Sequence, residues 1–251
     1  MTKSNTAPSV MAYADQAMAR SRILNNKYFD GLIDGSMSIE SFRASQCQFF
    51  YAVEYFPRPM AALIARIPSA KTRLDLIHNL VEEHGHFNEQ AFHCTTFNKF
   101  LQSIADANDG GLQNEEQPQH PAIRAFNGAL NNACSAEELE TGIACMGVIE
   151  HSFAVISAMI GEAVVNRGWV KSSSLIHYQL HAQIDERHAE EFFAILEPHW
   201  GNPARRYYIE QGIELGLHIF DRLYRELLEI GQNAQQKTIE SQCTIFSYLP
   251  G

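Results

Sequence analysis

The segment Tyr178 to Phe192, YQLHAQIDERHAEEF, limits what this chain can become more than any other. His181, Asp185 and His188 follow one another at intervals of four and three residues. An α-helix returns to the same face at those intervals, so one helix presents imidazole, carboxylate and imidazole in a single column. This donor mixture suits iron, manganese or zinc and not a sulfur-seeking metal. One column is not a site, so matching carboxylates have to come from elsewhere.

Two other segments offer them. Residues 71–105 read as a helix or a broken pair, with an apolar column of Leu76, Leu80, Phe87, Ala91, Cys94, Phe97 and Leu101. Glu83 falls inside that column, and His86 is its surface neighbour three residues on. A long helix from Ser135 to about Asn166 carries Leu139, Ile143, Met146, Phe153, Ile160 and Val164, interrupted by Glu150. A lone buried carboxylate is costly unless it is paired or metal-bound. Glu83, His86, Glu150, His181, Asp185 and His188 converging in one core would need a cation. Such a set is enough for two metal ions bridged by a carboxylate, as helix bundles build them.

Each group also has a plainer reading. The H-x3-D-x2-H column could be a solvated helix face, Glu150 could pair with an arginine, and Glu83 could be a surface acid. Within VEEHGH, Glu82 with His86 competes with Glu83, and His84, Glu89 and His93 are further alternatives. His78, His120, His151, His177, His199 and His218 read as structural or surface residues. The aromatic run Phe49, Phe50, Tyr51, Tyr55 and Phe56 reads as core, or as the wall of a substrate pocket.

The remaining chain is helical in pattern, with no convincing strand, repeat or interdomain linker. Residues 9–34 read as one helix leaving at Gly31 and Gly35. Ser38 is an N-cap for the next, Pro57 and Pro59 end or kink it, and Met60–Ile67 continues it. Residues 108–119 are loop by composition, Pro121 suits a first helical position, and Ser135 with Glu138 has the capping-box pattern. A last helix covers about Pro203 to Ile230, and 232–251 form a polar tail whose end is able to fold back. The expectation is an all-α single domain over 1–251, with its core in 22–230.

Length and charge exclude other classes. The 251 residues, 45% of them apolar, suffice for one sizeable core. A net charge of −10 argues against a nucleic-acid partner. With no run of some 18 apolar residues and no signal-peptide pattern, the expectation is a cytoplasmic protein without a membrane span. The five cysteines are odd in number and lack CxxC spacing, so they read as reduced residues.

The motifs in this order, with NKYFDGLIDGSMSIESFRASQCQFFYAVEYFPRPM, NLVEEHGHFNEQAF, GVIEHSF and HAQIDERHAEEF, resemble the heme-oxygenase-like diiron oxidases. That scaffold is shared with thiaminase-II-like and pyrroloquinoline-quinone-synthase-like proteins, and the likeness spans about residues 22–230. The spacing E-x2-H at Glu83 and His86 looks closest to the fatty-acid decarboxylase branch; other branches use E-x6-H, and Gln90 stands at that position here. The resemblance implies a heme-oxygenase-like helical bundle, commonly a homodimer, with two iron ions per chain and O2 as co-substrate. Glu83, His86, Glu150 and His181 would hold one iron; Asp185 and His188 would hold the second, more weakly, with Glu150 bridging. The implied activity is oxidation of a small organic substrate, fatty acid or amino acid-like, by C–C cleavage, desaturation or N-oxidation. Arg58, Arg66, Arg73 and Arg187 are candidates to receive a substrate carboxylate. Two alternatives share the scaffold: a metal-free enzyme binding a thiamine-like or aromatic metabolite, and a death-domain-type interaction protein.

Overall fold

The computed structural model describes residues 9–104 and 118–246, with side chains as far as 236. Among these there are ten α-helices and no strand. They are α1 (Val10–Ser21), α2 (Lys27–Asp34), α3 (Ile39–Tyr55), α4 (Pro57–Arg66), α5 (Ala70–Glu83), α6 (His93–Ser103), α7 (Pro121–Ser135), α8 (Leu139–Asn166), α9 (Ile176–Leu196) and α10 (Pro203–Phe246). Most of the expected 108–119 loop and the last five residues lie outside the described residues.

Local chemistry explains most boundaries. Ser38 opens α3 by accepting from the Ser41 amide at 3.1 Å, and Pro121 stands first in α7. The single helix expected over 9–34 is two, because Arg22 turns left-handed at φ 57° and Asn26 then caps α2 from the Tyr28 amide. The capping box at Ser135 and Glu138 does not form: Ser135 is still within α7, and α8 starts after Glu138 without a side-chain cap. A residue with helical backbone cannot supply the extended geometry of an N-cap. The last helix runs past Ile230 because Gly231 lets α10 lie directly on the Ser41 backbone, where a Cβ would come within 2.4 Å of the carbonyl oxygen. Ser41 Oγ donates to the Gly231 carbonyl at 3.0 Å and holds this crossing.

α8 is the central element, packed chiefly against α9 and α10 and also against α7. By length and mean hydropathy it could cross a membrane, although Glu150 and His151 interrupt its apolar run. In the fold, 78% of its most apolar window is buried against neighbouring helices, as in a core helix. Gly147 lets α9 approach closely, since a Cβ there would meet Phe192 Cβ at 2.8 Å. One apolar core joins all ten helices, with Phe49 at its centre, packed on Phe97, Phe153 and Tyr224 at ring-centroid distances of 5.7–5.9 Å. A buried polar chain then ties α9 to α3: Tyr178 donates to Gln46 at 2.6 Å, and Gln46 donates to the Tyr28 hydroxyl at 2.7 Å.

Candidate metal centre

α5 stops at Glu83, and the way it stops decides which histidine reaches the interior. Gly85, His86 and Phe87 are all left-handed, with φ of 54°, 50° and 67°. Two of these are not glycine, an uncommon and strained arrangement that tends to cluster at functional sites. A Cβ on Gly85 would stand 2.5 Å from the Ala91 backbone, so the turn cannot close around another residue without shifting. Asn88 caps the Gln90 amide at 3.1 Å, and Lys99 donates to the Gln90 carbonyl at 2.7 Å. The chain thus doubles back and starts α6 at His93.

The consequence is a correction to the sequence reading. His86 points out, with 65% of its side chain exposed, near Glu82 at 4.0 Å and edge-on to the His78 ring at 6.1 Å between centroids. Phe87, expected in the apolar column, is 82% exposed. His93 is buried in their place, its Nδ1 against Glu83 Oε2. The helical periodicity that made Glu83 and His86 neighbours ends at the first of the two.

The other five candidates are brought together. Glu83, Glu150, His181, Asp185 and His188 are all buried. One donor atom from each of Glu83, Glu150 and His188 lies within 4.8 Å of the others, and the same holds for His93, His177 and His181. Asp185 joins the two groups: its Oδ1 is 2.8 Å from His181 Nδ1 and 3.9 Å from His188 Nδ1. His188 Nδ1 faces Glu150 Oε1 across 3.8 Å.

A second layer fixes His188 from behind. Its Nε2 is 2.8 Å from Glu82 Oε2, and Arg187 donates to both Glu82 oxygens at 2.7 and 2.6 Å. A histidine whose outer nitrogen is bound to a carboxylate turns its other nitrogen, with a fixed lone pair, towards a metal. Glu82 is therefore the outer acid and Glu83 the inner one. Of the four arginines considered for a substrate carboxylate, Arg187 is engaged here and Arg66 donates to the Cys134 and Glu137 carbonyls. Arg58 lies over the Tyr55 ring, and neither it nor Arg73 lines the cavity described below.

The electrostatics are those of a crowded site. Burial, reinforced by Asp185, pushes the Glu150 carboxyl up to about 7. Burial likewise raises Asp185 well above the usual carboxylate range. Burial opposes charge on Glu83 too, but His93, His181 and His188 outweigh it and hold that carboxyl at about 2. Burial pulls His188 down, yet Glu150 and Glu82 outweigh it and hold it at about 10. Burial lowers His181 and His177.

A test of the donor set for a metal is whether the protein satisfies these atoms itself. Glu150 Oε1, Asp185 Oδ2, His188 Nδ1, His93 Nε2 and His177 Nε2 are buried with no hydrogen-bond partner. Each such atom costs about 1–3 kcal/mol if left bare. Several facing one another is the pattern expected of ligands, and neutral imidazole with carboxylate fits iron. Above this group lies an apolar cavity walled by Phe49, Val53, Phe56, Phe126, Phe153 and Phe220, with His93, Glu150 and His181 also on its lining. Phe49 and Phe56 thus serve as pocket wall, one of the two roles open to that aromatic run.

Sequence reasoning gave His93 only as an alternative. His177, read as structural or surface, stands four residues before His181 and extends the same helical column by one turn into the buried group.

Comparison with known proteins places the chain among relatives of the same scaffold. The chain is 21% identical, over 90% of its length and 87% of the relative's, to a 4-chloro-allylglycine synthase from Streptantibioticus cattleyicolor. It is 22% identical to a 4-aminobenzoate synthase from Chlamydia muridarum, over 73% of this chain and 75% of that one. Its fold matches a TenA homolog from Pseudomonas syringae pv. tomato with a TM-score of 0.65 at 15% identity, covering 89% of this chain and 98% of that one. It also matches a domain of unknown function with a heme oxygenase-like fold from Shewanella denitrificans, with a TM-score of 0.63 at 15% identity, covering 90% and 91%. Residues 43–220 match the family described as iron-containing redox enzymes. With that match spanning more than half of its length, the chain belongs to the iron-containing redox enzymes and has the heme oxygenase-like fold.

Proposed function

We propose that this protein is an Fe(II)- and O2-dependent dinuclear non-heme iron oxidase or oxygenase acting on a small organic substrate. The observation that carries this reading is the buried meeting of Glu83, Glu150 and Asp185 with His93, His181 and His188, in which Glu150 Oε1, Asp185 Oδ2, His93 Nε2 and His188 Nδ1 lack hydrogen-bond partners. Glu83, His93, Glu150 and His181 would hold one ion, and Asp185 and His188 the other, with Glu150 placed to serve both. His86 leaves the ligand set, and the E-x2-H pair that suggested the fatty-acid decarboxylase branch leaves with it. Bound ferrous ions would supply the electrons that O2 needs.

The chain's own residues do the rest. The aromatic wall keeps water from the reacting centre and takes an apolar portion of substrate by burial. Glu150, His93 and His181 line that cavity, so the ion they would hold borders the space for substrate. Among the described residues no arginine lines it, which favours substrates that enter with an apolar or aromatic end first. The relatives named as synthases of 4-chloro-allylglycine and 4-aminobenzoate support small-molecule chemistry on this scaffold.

The test is anaerobic addition of Fe(II) to the metal-free full chain, a count of iron per chain, and mixing with O2 under optical observation. Two ions per chain and an O2-dependent optical transient are expected. Iron binding no greater than trace would end the proposal.

A further inference from the structure

His177 is fully buried on α9 and belongs to none of the roles above. Its ring centroid is 4.4 Å from that of His181 and 4.8 Å from that of His93, and His93 stacks on His181 at 4.1 Å. Three imidazoles from two helices thus share one small volume.

One hydroxyl fixes the tautomer. Thr96 Oγ1 has a single hydrogen, and it donates that hydrogen to the His93 carbonyl at 2.9 Å. With that hydrogen on the carbonyl, the hydroxyl accepts in its 3.1 Å contact with His177 Nδ1, and Nδ1 would carry the proton. Nε2 is left with a bare lone pair, and that atom is buried without a hydrogen-bond partner. An imidazole anchored through one N–H and free at the other nitrogen is in the form that binds a divalent ion. A ligand nitrogen of His177 lies within 4.8 Å of one on His93 and one on His181.

We propose that His177 is a further metal ligand, adding a third imidazole, beside His93 and His181, to the ion that those two would hold with Glu83 and Glu150. This rests on the dinuclear reading above and adds an asymmetry to it. Imidazole nitrogens favour later first-row divalent ions, whereas carboxylates suit earlier ones, so this nitrogen-rich site and the one at Asp185 and His188 fill with unequal affinity. Thr96 is a positioning residue that keeps the His177 lone pair aimed inward.

The experiment is a Co(II) titration of the metal-free full chain, read by ions bound per chain and by the visible absorption of the cobalt. Wild type, His177→Phe and Thr96→Val are compared, with circular dichroism as the folding control. The expected result is two ions on wild type, and a loss of about tenfold or more in affinity for one of them in His177→Phe, with a shifted visible band. Thr96→Val keeps the ring and should show a smaller loss at the same ion. Wild-type affinity and an unchanged band in folded His177→Phe overturn the proposal. If that variant does not fold, unchanged binding in Thr96→Val overturns it equally. A wild-type chain that takes up neither Co(II) nor Fe(II) fails the dinuclear reading itself, and this proposal with it. Two ions on wild type with an inert His177 fail this proposal alone.

Discussion

Glu82 Oε2 lies 2.8 Å from His188 Nε2, on the side of the ring away from the interior. The acid adjacent in sequence, Glu83, lies on the inner side, so two consecutive carboxylates serve one histidine-rich centre from opposite directions.

On the dinuclear reading, that contact makes Glu82 and Arg187 supports of a metal ligand. Glu82→Ala and Arg187→Ala are each expected to weaken one of two bound ions by about 10- to 100-fold, the range typical for partners behind a ligating histidine. Equilibrium metal titration of the folded variants measures this. Wild-type affinity in both would remove Glu82 from the centre.

His86 and His93 separate the sequence reading from the structural one. His86→Ala should leave iron stoichiometry and affinity unchanged, because the ring is solvent-facing. His93→Ala should lose at least one ion, because it removes a buried donor beside Glu83. The opposite pattern, measured as iron per chain after anaerobic loading, would restore the E-x2-H pair.

Asp185 bridges the histidine group and the carboxylate group through His181 and His188. Asp185→Ala is expected to lower iron towards one per chain while the first ion keeps its affinity. Full occupancy of both positions in this variant would show the α9 column to be wrongly assigned.

The acidity of the cluster predicts the pH behaviour of the metal-free protein. Glu150 rises from 4.5 to about 7, so folding favours its protonated form, and stability falls as pH rises from 4.5 through 7. His188 rises from 6.5 to about 10; its contribution is complete below 6.5 and is lost as pH climbs through 10. Glu83 falls to about 2, so its contribution is present above 4.5 and is lost towards pH 2. Burial lowers His177 and His181, which disfavours the folded state below 6.5 and opposes the Glu150 trend there, so metal-free protein should melt at progressively lower temperature from pH 7 to 9, and Glu150→Gln should remove the fall that this carboxyl contributes below 7. Metal binding runs the other way, because the ion displaces these protons, and Co(II) affinity should increase over the same interval. Calorimetry at pH 5, 7 and 9, with and without Co(II), checks both trends; a metal-free melting temperature that rises across the interval would contradict the first.

Much of this could be read from the chain because helices impose strict spacing. The α9 column, the lone Glu150 in α8 and the cap at Ser38 all follow from residues three, four or seven apart. What failed lies where periodicity stops. His86 and Phe87 were placed by extending α5 through a glycine, whereas Gly85 opens a left-handed turn that discards both and recruits His93 ten positions after Glu83. No local rule counts across such a turn. The capping box at Ser135 failed for a related reason: the preceding helix used the serine first. The inner and outer roles of Glu82 and Glu83 were equally illegible, since adjacent residues on a helix differ only by about 100° of rotation, and the position of His188 decides between them.

α9 carries three of the proposed ligands and His177, yet neither of its ends is secured by a side-chain cap. Its inward face adds Asp185 to an interior where Glu150 already resists ionisation. On the dinuclear reading, an ion that displaces protons from this face relieves a cost that the helix otherwise bears, so metal loading should raise the melting temperature and slow proteolysis within α9.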